Sequence, residues 1–477
     1  MPAVPNDVFF ATIPELNTRL KAKEFSAEEL TRAFSGRLEQ LGPRYNALAL
    51  LLPQESHRKA KEVDKEMKRE RFRGPLQGIP YGAKDLLAYE GQPTTWGAKP
   101  YAGQVFDFNA TVIKKLDSVG SILTGKLSMV ELAGGGGYRY PSASLTGAGL
   151  NPWDRTRWSG GSSSGSAAAV AAGLVPFAIG SETSGSIVTP ASFCGVTALR
   201  PTYGLVSRHG AMALSWTLDK LGPFARSAED CGLILQVIAG KDSKDPGSAG
   251  KSFYYTPQYA RAMKDLEVGY APVDFTDRAD PSARAAFAAA LEVIKQTGVQ
   301  LVEPKWPPFP YGAVLSTILA AEEASIFESL IVSGKVDELA DKPQIAGLKA
   351  AMDVSAKDYL KAMRIRRLIQ EEFSKLFAEV DVLIAPGRPG PAIKADQRLD
   401  APTSPPPPAG TPTGFAGIIQ AGNLAGLPAL VLPCGFADNV PVALQVVGLP
   451  FSENTLLAVG REFQSRTDWH KRRPPGL

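Results

Sequence analysis

The sequence predicts an α/β protein with a largely buried sheet, because its texture changes at Gly74 from helical spacing to short apolar runs. These runs are bounded by Gly and Pro and are separated by stretches of helical periodicity. Each run is continuous in its apolar residues, which is typical of strands covered on both faces. The runs are GIPYGAKDLL, SILTGK, LVPFAIGS and GLPALVLPCG.

The remaining segments are predicted from periodicity and from Pro content. Apolar residues recur at helical spacing from Thr12 to Leu41, and Ser26 precedes two glutamates, so we expect a helical arm over 12–73. A core of alternating strands and helices follows over 74–240. Residues 250–380 are rich in Ala, Glu and Lys and predict a helical layer. The segment 386–413 contains PGRPGP and SPPPPAGTPTG, and predicts an extended surface loop that serves either as a connector or as a rim over the active site.

Composition excludes several classes of protein. The 477 residues are 44% hydrophobic and 21% charged, so a core can form without metals or disulfides. A net charge of +4 is a weak field, and the charged stretch 56–73 mixes both signs, so charge-driven nucleic-acid binding is not expected.

Compartment is predicted from the cysteines and the apolar segments. Three cysteines lie far apart in apolar surroundings, which favours a reduced cytoplasmic interior. The first residues, MPAVPNDVFFATIPEL, lack the pattern of a secretory signal, and no apolar run is long enough to span a bilayer. We therefore expect a cytoplasmic protein without membrane contact.

Two clusters of Ser and Gly between Trp158 and Gly204 suggest a catalytic site. The first, Ser159 to Gly165, leads into the predicted helix SAAAVAAGL. The second follows a predicted strand, Leu174 to Ile179, and leads into a short helix after Ser186. Serines at helix starts, beside free backbone amides, suit an anionic reaction intermediate. Flexible loops are the alternative interpretation, although two clusters around one strand argue against it.

A serine nucleophile needs a base, and histidine is poorly supplied. His57 lies in the charged helix, His209 in a loop and His470 in a basic tail. The segment GSSSG matches G-x-S-x-G around Ser163, but a turn-like approach precedes it where that motif requires a strand. Lys84 follows the apolar run IPYGA, and a buried lysine serves as base if desolvation lowers its pKa. The neighbouring Asp85 would oppose that shift if it faced the amine.

These elements together resemble the amidase signature family. The similarity lies in GIPYGAKD, in GGSSSGSAAAVAAGLVPFAIGSETSGSI, in PASFCGVTALRPTYG, in LGPFARSAEDCGLILQVIAG and in NLAGLPALVLPCGF. It spans residues 12 to 465. The resemblance implies a single α/β/α domain over 1–477, built on a large, mostly parallel mixed sheet covered by helices.

The resemblance also implies site residues. Ser186 would be the nucleophile, Ser162 the bridging serine after a cis peptide bond, and Lys84 the base. Ser163 would support them, and the oxyanion hole would consist of the backbone amides of Thr183, Ser184, Gly185 and Ser186. Two departures from the family pattern are Ser184 in place of glycine and Val188 in place of arginine. The second puts in doubt any salt bridge that depends on that arginine.

The substrate pocket is predicted from the same resemblance and from side-chain character. It would be bordered by the glycine run Gly134, Gly135 and Gly136 with Tyr138, and lined by Phe415, Ile418 and Ile419. Membership of the core is the equally weighted alternative for each of these residues. No metal and no cofactor are expected.

The resulting hypothesis is an amidase that hydrolyses small or aryl-bearing carboxamides through an acyl-enzyme, with carbamates and esters as further substrates. Its expected partner is a small-molecule amide or carbamate, with no nucleic acid; monomer and homodimer stay open. The alternative is the catalytic A subunit of a glutamine-dependent tRNA amidotransferase, which works with partner subunits. The uncharged segment 414–428 favours an apolar substrate over glutamine. A catalytically dead binding module is a third interpretation, which the intact Lys84, Ser162 and Ser186 disfavour.

Overall fold

The computed structural model describes residues 4–401 and 406–477. One sheet of eleven strands runs through these residues in the order β1-β3-β2-β4-β6-β5-β10-β11-β9-β7-β8. The strands are β1 (Leu48–Leu51), β2 (Pro80–Lys84), β3 (Ile122–Leu127), β4 (Phe177–Glu182), β5 (Thr197–Arg200), β6 (Lys220–Ala225), β7 (Glu267–Gly269), β8 (Gln300–Val302), β9 (Val382–Pro386), β10 (Ala429–Ala437) and β11 (Val440–Gly448).

Fifteen α-helices accompany the sheet in the described residues. They are α1 (Ile13–Lys21), α2 (Ala27–Leu41), α3 (Pro53–Lys68), α4 (Thr111–Ser118), α5 (Ser164–Ala171), α6 (Val188–Cys194), α7 (Ala228–Ile238), α8 (Pro272–Phe275), α9 (Arg284–Gln296), α10 (Tyr311–Ile326), α11 (Glu328–Val332), α12 (Lys342–Ala351), α13 (Ala356–Glu379), α14 (Ile418–Ala425) and α15 (Glu453–Ser465). The predicted α/β class, with a large mixed sheet, is confirmed.

Helices cover both faces of the sheet, and the alternation of side chains along β10 shows it. Leu430 and Leu432 pack into one apolar core, together with residues of α7 and α9, whereas Ala429 and Val431 pack into a second core with α5 and α13. Successive side chains of a strand point to opposite faces, so the sheet lies between two helical layers.

The sheet is not mostly parallel, and this part of the prediction is wrong. Within the part of the chain that the structure describes, β2 pairs in parallel with β3 and β4, and β7 pairs in parallel with β8 and β9. The other six pairings are antiparallel. A continuous apolar run indicates only that a strand is buried on both faces. The antiparallel strands β10 and β11 are buried on both faces, so their apolar runs look like those of parallel strands.

Two segments differ in detail from the sequence prediction. Residues 250–380 contain α8 to α13, but also β7 and β8, which extend the sheet at its edge. Three-residue strands are too short to produce a recognisable apolar pattern. The Pro-rich segment has no helix or strand after β9 over its described part, while 402–405 lie outside the described residues.

Several features bear on the classes of function. No helix among the described residues has the length and apolar character needed to cross a membrane. No group of three or more His, Cys, Asp or Glu side chains in the described ranges is arranged to hold a metal ion. Cys194, Cys231 and Cys434 are buried free thiols.

Candidate active site

Lys84 lies at the end of β2, in the interior of the sheet, and its side chain is fully buried. Its Nζ donates hydrogen bonds to Ser162 Oγ at 2.7 Å, Ser181 Oγ at 2.9 Å and Ser163 Oγ at 3.1 Å. Burial lowers the pKa of Lys84 to about 7, although the negative charges of Asp219 and Glu182 act in the opposite direction. A large fraction of this amine is therefore neutral near neutral pH.

Asp85, the next residue, points away from this amine. One of its carboxylate oxygens lies 2.8 Å from Lys126 Nζ in an ion pair that is almost fully buried. The other accepts a hydrogen bond from the backbone amide of Thr95 at 3.0 Å. The charge of Asp85 is thus matched by another lysine, and it is absent from the groups that raise the pKa of Lys84.

Ser162 and Ser163 precede α5, and the peptide bond between Gly161 and Ser162 is cis. Ser163 Oγ donates to the carbonyl oxygen of Ser181 at 3.1 Å and accepts from the amide of Ser181 at 3.3 Å. The hydroxyl proton of Ser163 is therefore engaged in a hydrogen bond to the backbone. Within the described chain, the hydroxyl of Ser162 bonds only to Lys84, as does that of Ser181, so the proton of each is free of a second acceptor.

Ser181 is a site residue that the sequence prediction missed. It lies in β4 next to β2, and its hydroxyl completes the set of three around Lys84 Nζ. The available signal was its place in the strand that leads to the second Ser-Gly cluster. A single serine within an apolar strand is usually structural, and only the pairing of β4 with β2 brings it to the lysine.

Ser186 lies on the turn between β4 and α6, where Gly185 adopts a φ of +88°. Its side chain is mostly buried. The four backbone amides from Thr183 to Ser186 donate no hydrogen bond within the described residues. Buried amides without a partner are costly, so a row of four is suited to receiving an oxyanion.

The carboxylate of Glu182 holds the turn of Ser186 through backbone hydrogen bonds. One oxygen accepts hydrogen bonds from the amides of Ile187 at 2.8 Å and Val188 at 3.0 Å, which are the two amides directly after the unpaired row. The carboxylate thus occupies the amides beyond Ser186 and leaves those before it open.

The charge of Glu182 is balanced by Arg200 on β5. Their side chains lie 2.8 Å apart, both fully buried, and Asn423 Nδ2 donates to the same carboxylate at 2.7 Å. Burial alone would raise the pKa of Glu182, but Arg200 and the hydrogen bonds lower it to about 2. The cation that Val188 does not supply is therefore provided from another strand.

The loop of Ser162 packs against the first turn of α6. A Cβ built on Gly160 would lie 2.5 Å from Pro190 Cα, closer than a side chain tolerates. This contact brings the loop of Ser162 beside the first turn of α6, which follows directly after Ser186. The cooperation of Ser162 and Ser186 stays a prediction.

Two cavities adjoin this centre. The Trp216 cavity, of about 180 Å³, reaches Ser181 and Thr183 and is lined by Leu86, Met212, Leu214, Trp216 and Asp219. The Arg388 cavity, of about 220 Å³, is lined by Asp274, Arg278, Arg388, Phe415, Ile419 and Gln445. Each is far larger than the space of roughly 15 Å³ that one water needs, so each has room for part of a small substrate.

The predicted pocket residues divide between lining and packing positions. Phe415, Ile418 and Ile419 line the Arg388 cavity. Gly135 and Gly136 pack against the interior: a Cβ on Gly136 would lie 2.3 Å from Gln344 O. Gly134 lies against the ring of Tyr138, whose hydroxyl would lie 3.0 Å from a Cβ on Gly161. Contact of these glycines with a substrate stays a prediction.

The histidines do not enter the hydrogen bonds of this centre. The ring of His209 lines the Trp216 cavity but stacks on Phe108, with centroids 5.6 Å apart. His57 lies on α3, and His470 follows α15; burial lowers the pKa of His470 to about 4. Among the described residues, lysine is the base that contacts a site serine.

A buried lysine among serines is an arrangement found in hydrolases that use lysine as the base for a serine nucleophile. Residues 29–457 match the family model described as Amidase. The chain belongs to this family, the amidase signature enzymes, so the predicted resemblance is confirmed.

Individual relatives cover almost the whole chain. It is 37% identical to the A subunit of glutamyl-tRNA(Gln) amidotransferase from Chloroflexus aggregans, over 98% of this chain and 99% of the relative. The corresponding protein of Carboxydothermus hydrogenoformans is 35% identical with the same coverage. Among solved structures, the native peptide amidase of Stenotrophomonas maltophilia is 29% identical, with a TM-score of 0.83 and 98% of each chain covered.

These relatives correct one prediction. A protein with only small-molecule partners and no nucleic-acid partner was expected, and this is wrong, because the similar curated proteins are named for a tRNA and as one subunit of an amidotransferase. Net charge reports on the electrostatic field of this chain alone. It carries no information on assembly with another chain.

Removing the charge of Glu182 tests the support of the turn. Because Glu182→Gln leaves Arg200 buried without an anion, we expect the free energy of unfolding to fall by about 3 to 5 kcal/mol. The double variant Glu182→Gln/Arg200→Met should be less destabilised than the sum of its two single variants. Urea denaturation of the four proteins measures the coupling, and strictly additive losses would show that the pair does not act as a unit.

Proposed function

We propose that this amidase cleaves carboxamides through an acyl-enzyme on Ser186, with Lys84 as the base and Ser162 as the proton relay. The observation that carries the proposal is the contact of 2.7 Å between Lys84 Nζ and Ser162 Oγ, in a setting that lowers the pKa of the amine to about 7. A neutral amine has one lone pair and two N–H groups. In the ammonium form, Nζ donates to all three serines. In the neutral form, Ser163 and Ser181 accept its two N–H groups, and its lone pair accepts the proton of Ser162.

The reaction then follows from the proton positions. Ser186 Oγ attacks the carbonyl carbon while its proton passes to Ser162 and the proton of Ser162 passes to Lys84. The carbonyl oxygen becomes an anion that the amides of residues 183–186 stabilise. When the carbon–nitrogen bond breaks, the same route returns a proton to the leaving nitrogen. Water releases the acyl group by the reverse sequence, and esters and carbamates would react through the same intermediate.

For its biological role, we propose the glutamine-using A subunit of a tRNA amidotransferase. Support comes from the identity of 37% to a protein of that name, with 98% and 99% of the two chains covered. In this role, Ser186 would take the acyl group of glutamine and release ammonia for transfer to glutamyl-tRNA.

A free-standing amidase for uncharged carboxamides is the second candidate. The segment 414–428 carries no charge, and Phe415, Ile418 and Ile419 from it line the Arg388 cavity. The similarity to the peptide amidase of S. maltophilia also supports it. Small and aryl-bearing carboxamides are the substrates of this role.

Ser186→Ala should reduce kcat by a factor on the order of 10³ or more, because it removes the hydroxyl that forms the acyl-enzyme in the proposed reaction. A serine-directed phosphonate should label Ser186 in the wild type, with mass spectrometry of peptides as the readout. Ser163→Ala is the matched control: it should weaken activity and leave the label at Ser186. Labelling at Ser163 or Ser162 would assign the nucleophile elsewhere.

The pH dependence should follow Lys84. Because only the neutral amine accepts a proton, kcat/KM should rise as pH passes about 7 and reach a plateau on the alkaline side. Lys84→Arg should be inactive, since a guanidinium stays protonated. Burial also raises the pKa of Glu323 to about 7, so Glu323→Gln is the control and should keep the profile, as should His209→Asn. If either control variant lost the rise of kcat/KM with pH, the rise would be assigned to the residue changed in that variant and not to Lys84.

The two biological roles separate in an amidation assay. The chain is added to an amidotransferase preparation that lacks its own glutamine-using component, and conversion of glutamyl-tRNA is followed with glutamine or with ammonium as the nitrogen source. In the tRNA amidotransferase role, wild type supports both sources and Ser186→Ala supports ammonium alone. Hydrolysis of neutral amides without any amidation would favour the free-standing enzyme.

A further inference from the structure

Arg388 places an unpaired cation in the Arg388 cavity. Across residues 4–401 and 406–477, its guanidinium makes no hydrogen bond and no ion pair, and besides burial only Tyr138 acts on its pKa. The side chain is half-buried, between the cavity and Tyr138, and its charge lowers the pKa that burial raises at Tyr138. A guanidinium held out of bulk water without an anion is suited to bind a carboxylate in two parallel hydrogen bonds.

The backbone of Arg388 is held on both sides. Gly387 N donates to Ala443 O at 2.7 Å, and Pro389 O accepts from Asp280 N at 2.9 Å. A Cβ on Gly387 would lie 2.2 Å from Ser192 Oγ, so this segment packs directly on α6. Arg388 therefore extends from a fixed segment, which limits the conformational entropy lost on binding.

Gln445 supplies a second unmatched group in the same cavity. Its side chain is fully buried, and its Nε2 donates to Pro386 O at 3.0 Å, which sets the orientation of the amide. Its Oε1 is buried without a hydrogen-bond donor among the described residues. This oxygen is an uncharged, unpaired acceptor in the wall of the cavity, so it supplies no anion to Arg388.

The other charged groups of the cavity are already engaged with one another. Asp274 accepts a hydrogen bond from Phe415 N at 2.9 Å and lies 4.0 Å from Arg278 Nε. This pair offsets its own charges and leaves Arg388 as the excess positive charge of the lining.

The cavity adjoins the reacting centre on two sides. A Cβ on Gly185 would lie 3.3 Å from Ile419 Cγ2, so the lining touches the oxyanion turn. On the other side, Tyr138 lies between Arg388 and Gly161, the residue before Ser162. A single substrate therefore spans both places when a few carbon atoms separate the carbonyl held at Ser186 from the group bound to Arg388.

We propose that Arg388 is a specificity-determining residue that binds a carboxylate on the acyl part of the substrate. The proposal rests on acylation of Ser186 as proposed above. The substrate class is a primary amide whose acyl chain ends in a carboxylate. The apolar character of 414–428 does not exclude it, because Arg388 and Gln445 lie outside that segment.

Two amides of equal chain length test it: 5-amino-5-oxopentanoate, which ends in a carboxylate, and pentanamide, which ends in a methyl group. Wild type should prefer the carboxylate amide by about 10- to 100-fold in kcat/KM, the range of a charge-assisted hydrogen bond. Arg388→Gln should remove this preference, mainly through KM, and change kcat/KM for pentanamide by less than about threefold. Arg388→Lys should retain part of the preference.

The double variant Asp274→Asn/Arg278→Gln is the matched control, because it removes an arginine together with its partner anion, leaves the net charge of the same cavity unchanged, and should keep the preference. Calorimetry of 5-amino-5-oxopentanoate with Ser186→Ala, with and without Arg388→Gln, measures binding without turnover. Equal use of both amides by wild type, equal losses in Arg388→Gln, or unchanged binding would overturn the role of Arg388. Since pentanamide would still acylate Ser186 in those cases, its hydrolysis distinguishes that failure from failure of the proposed reaction.

Discussion

The burial of one amine, that of Lys84, is the constraint on which the rest of the site depends. An ammonium group in the interior is strongly penalised, and the chain offers it three neutral hydroxyls in place of a carboxylate at contact distance. A direct carboxylate partner would hold the proton on the amine. The nearest candidate in sequence, Asp85, is instead paired with Lys126. Of these two adjacent residues, Asp85 is therefore held in an ion pair, whereas Lys84 has no anion in contact with it.

The same separation of charges organises the turn of Ser186. Glu182 is as deeply buried as Lys84, but it is kept ionised by Arg200 and Asn423. Its carboxylate takes the amides of Ile187 and Val188, and the amides of the preceding four residues remain unpaired. The turn is thus rigid on one side and open on the other. This arrangement is what an oxyanion requires, since preorganised donors need no reorganisation during reaction.

The cavities connect this chemistry to the choice of substrate. Family membership establishes hydrolysis of carbon–nitrogen bonds, and the glutamine-using and free-standing roles differ in the group that lies beside the scissile amide. The apolar side chains of Phe415 and Ile419 line the same cavity as a cationic side chain, Arg388. Residues from β9, β11 and α14 meet there, so no single segment reveals its character.

The sequence by itself determined the local elements and the identity of the chemical groups. Continuous apolar runs predicted the buried strands, the small-residue run after Ser163 predicted α5, and the position of Lys84 after IPYGA predicted a buried lysine. These features depend on neighbours in the chain, and local propensity and hydrophobic pattern record them. Tertiary structure decided which groups meet. The pairing of β4 with β2 brings Ser181 to Lys84, β5 supplies Arg200 to Glu182, and the segment after β9 brings Arg388 beside Gln445 of β11. Strand direction was also decided there, because burial on both faces produces the same apolar run in parallel and antiparallel strands. Contacts between distant segments depend on topology, which a single sequence pattern does not encode.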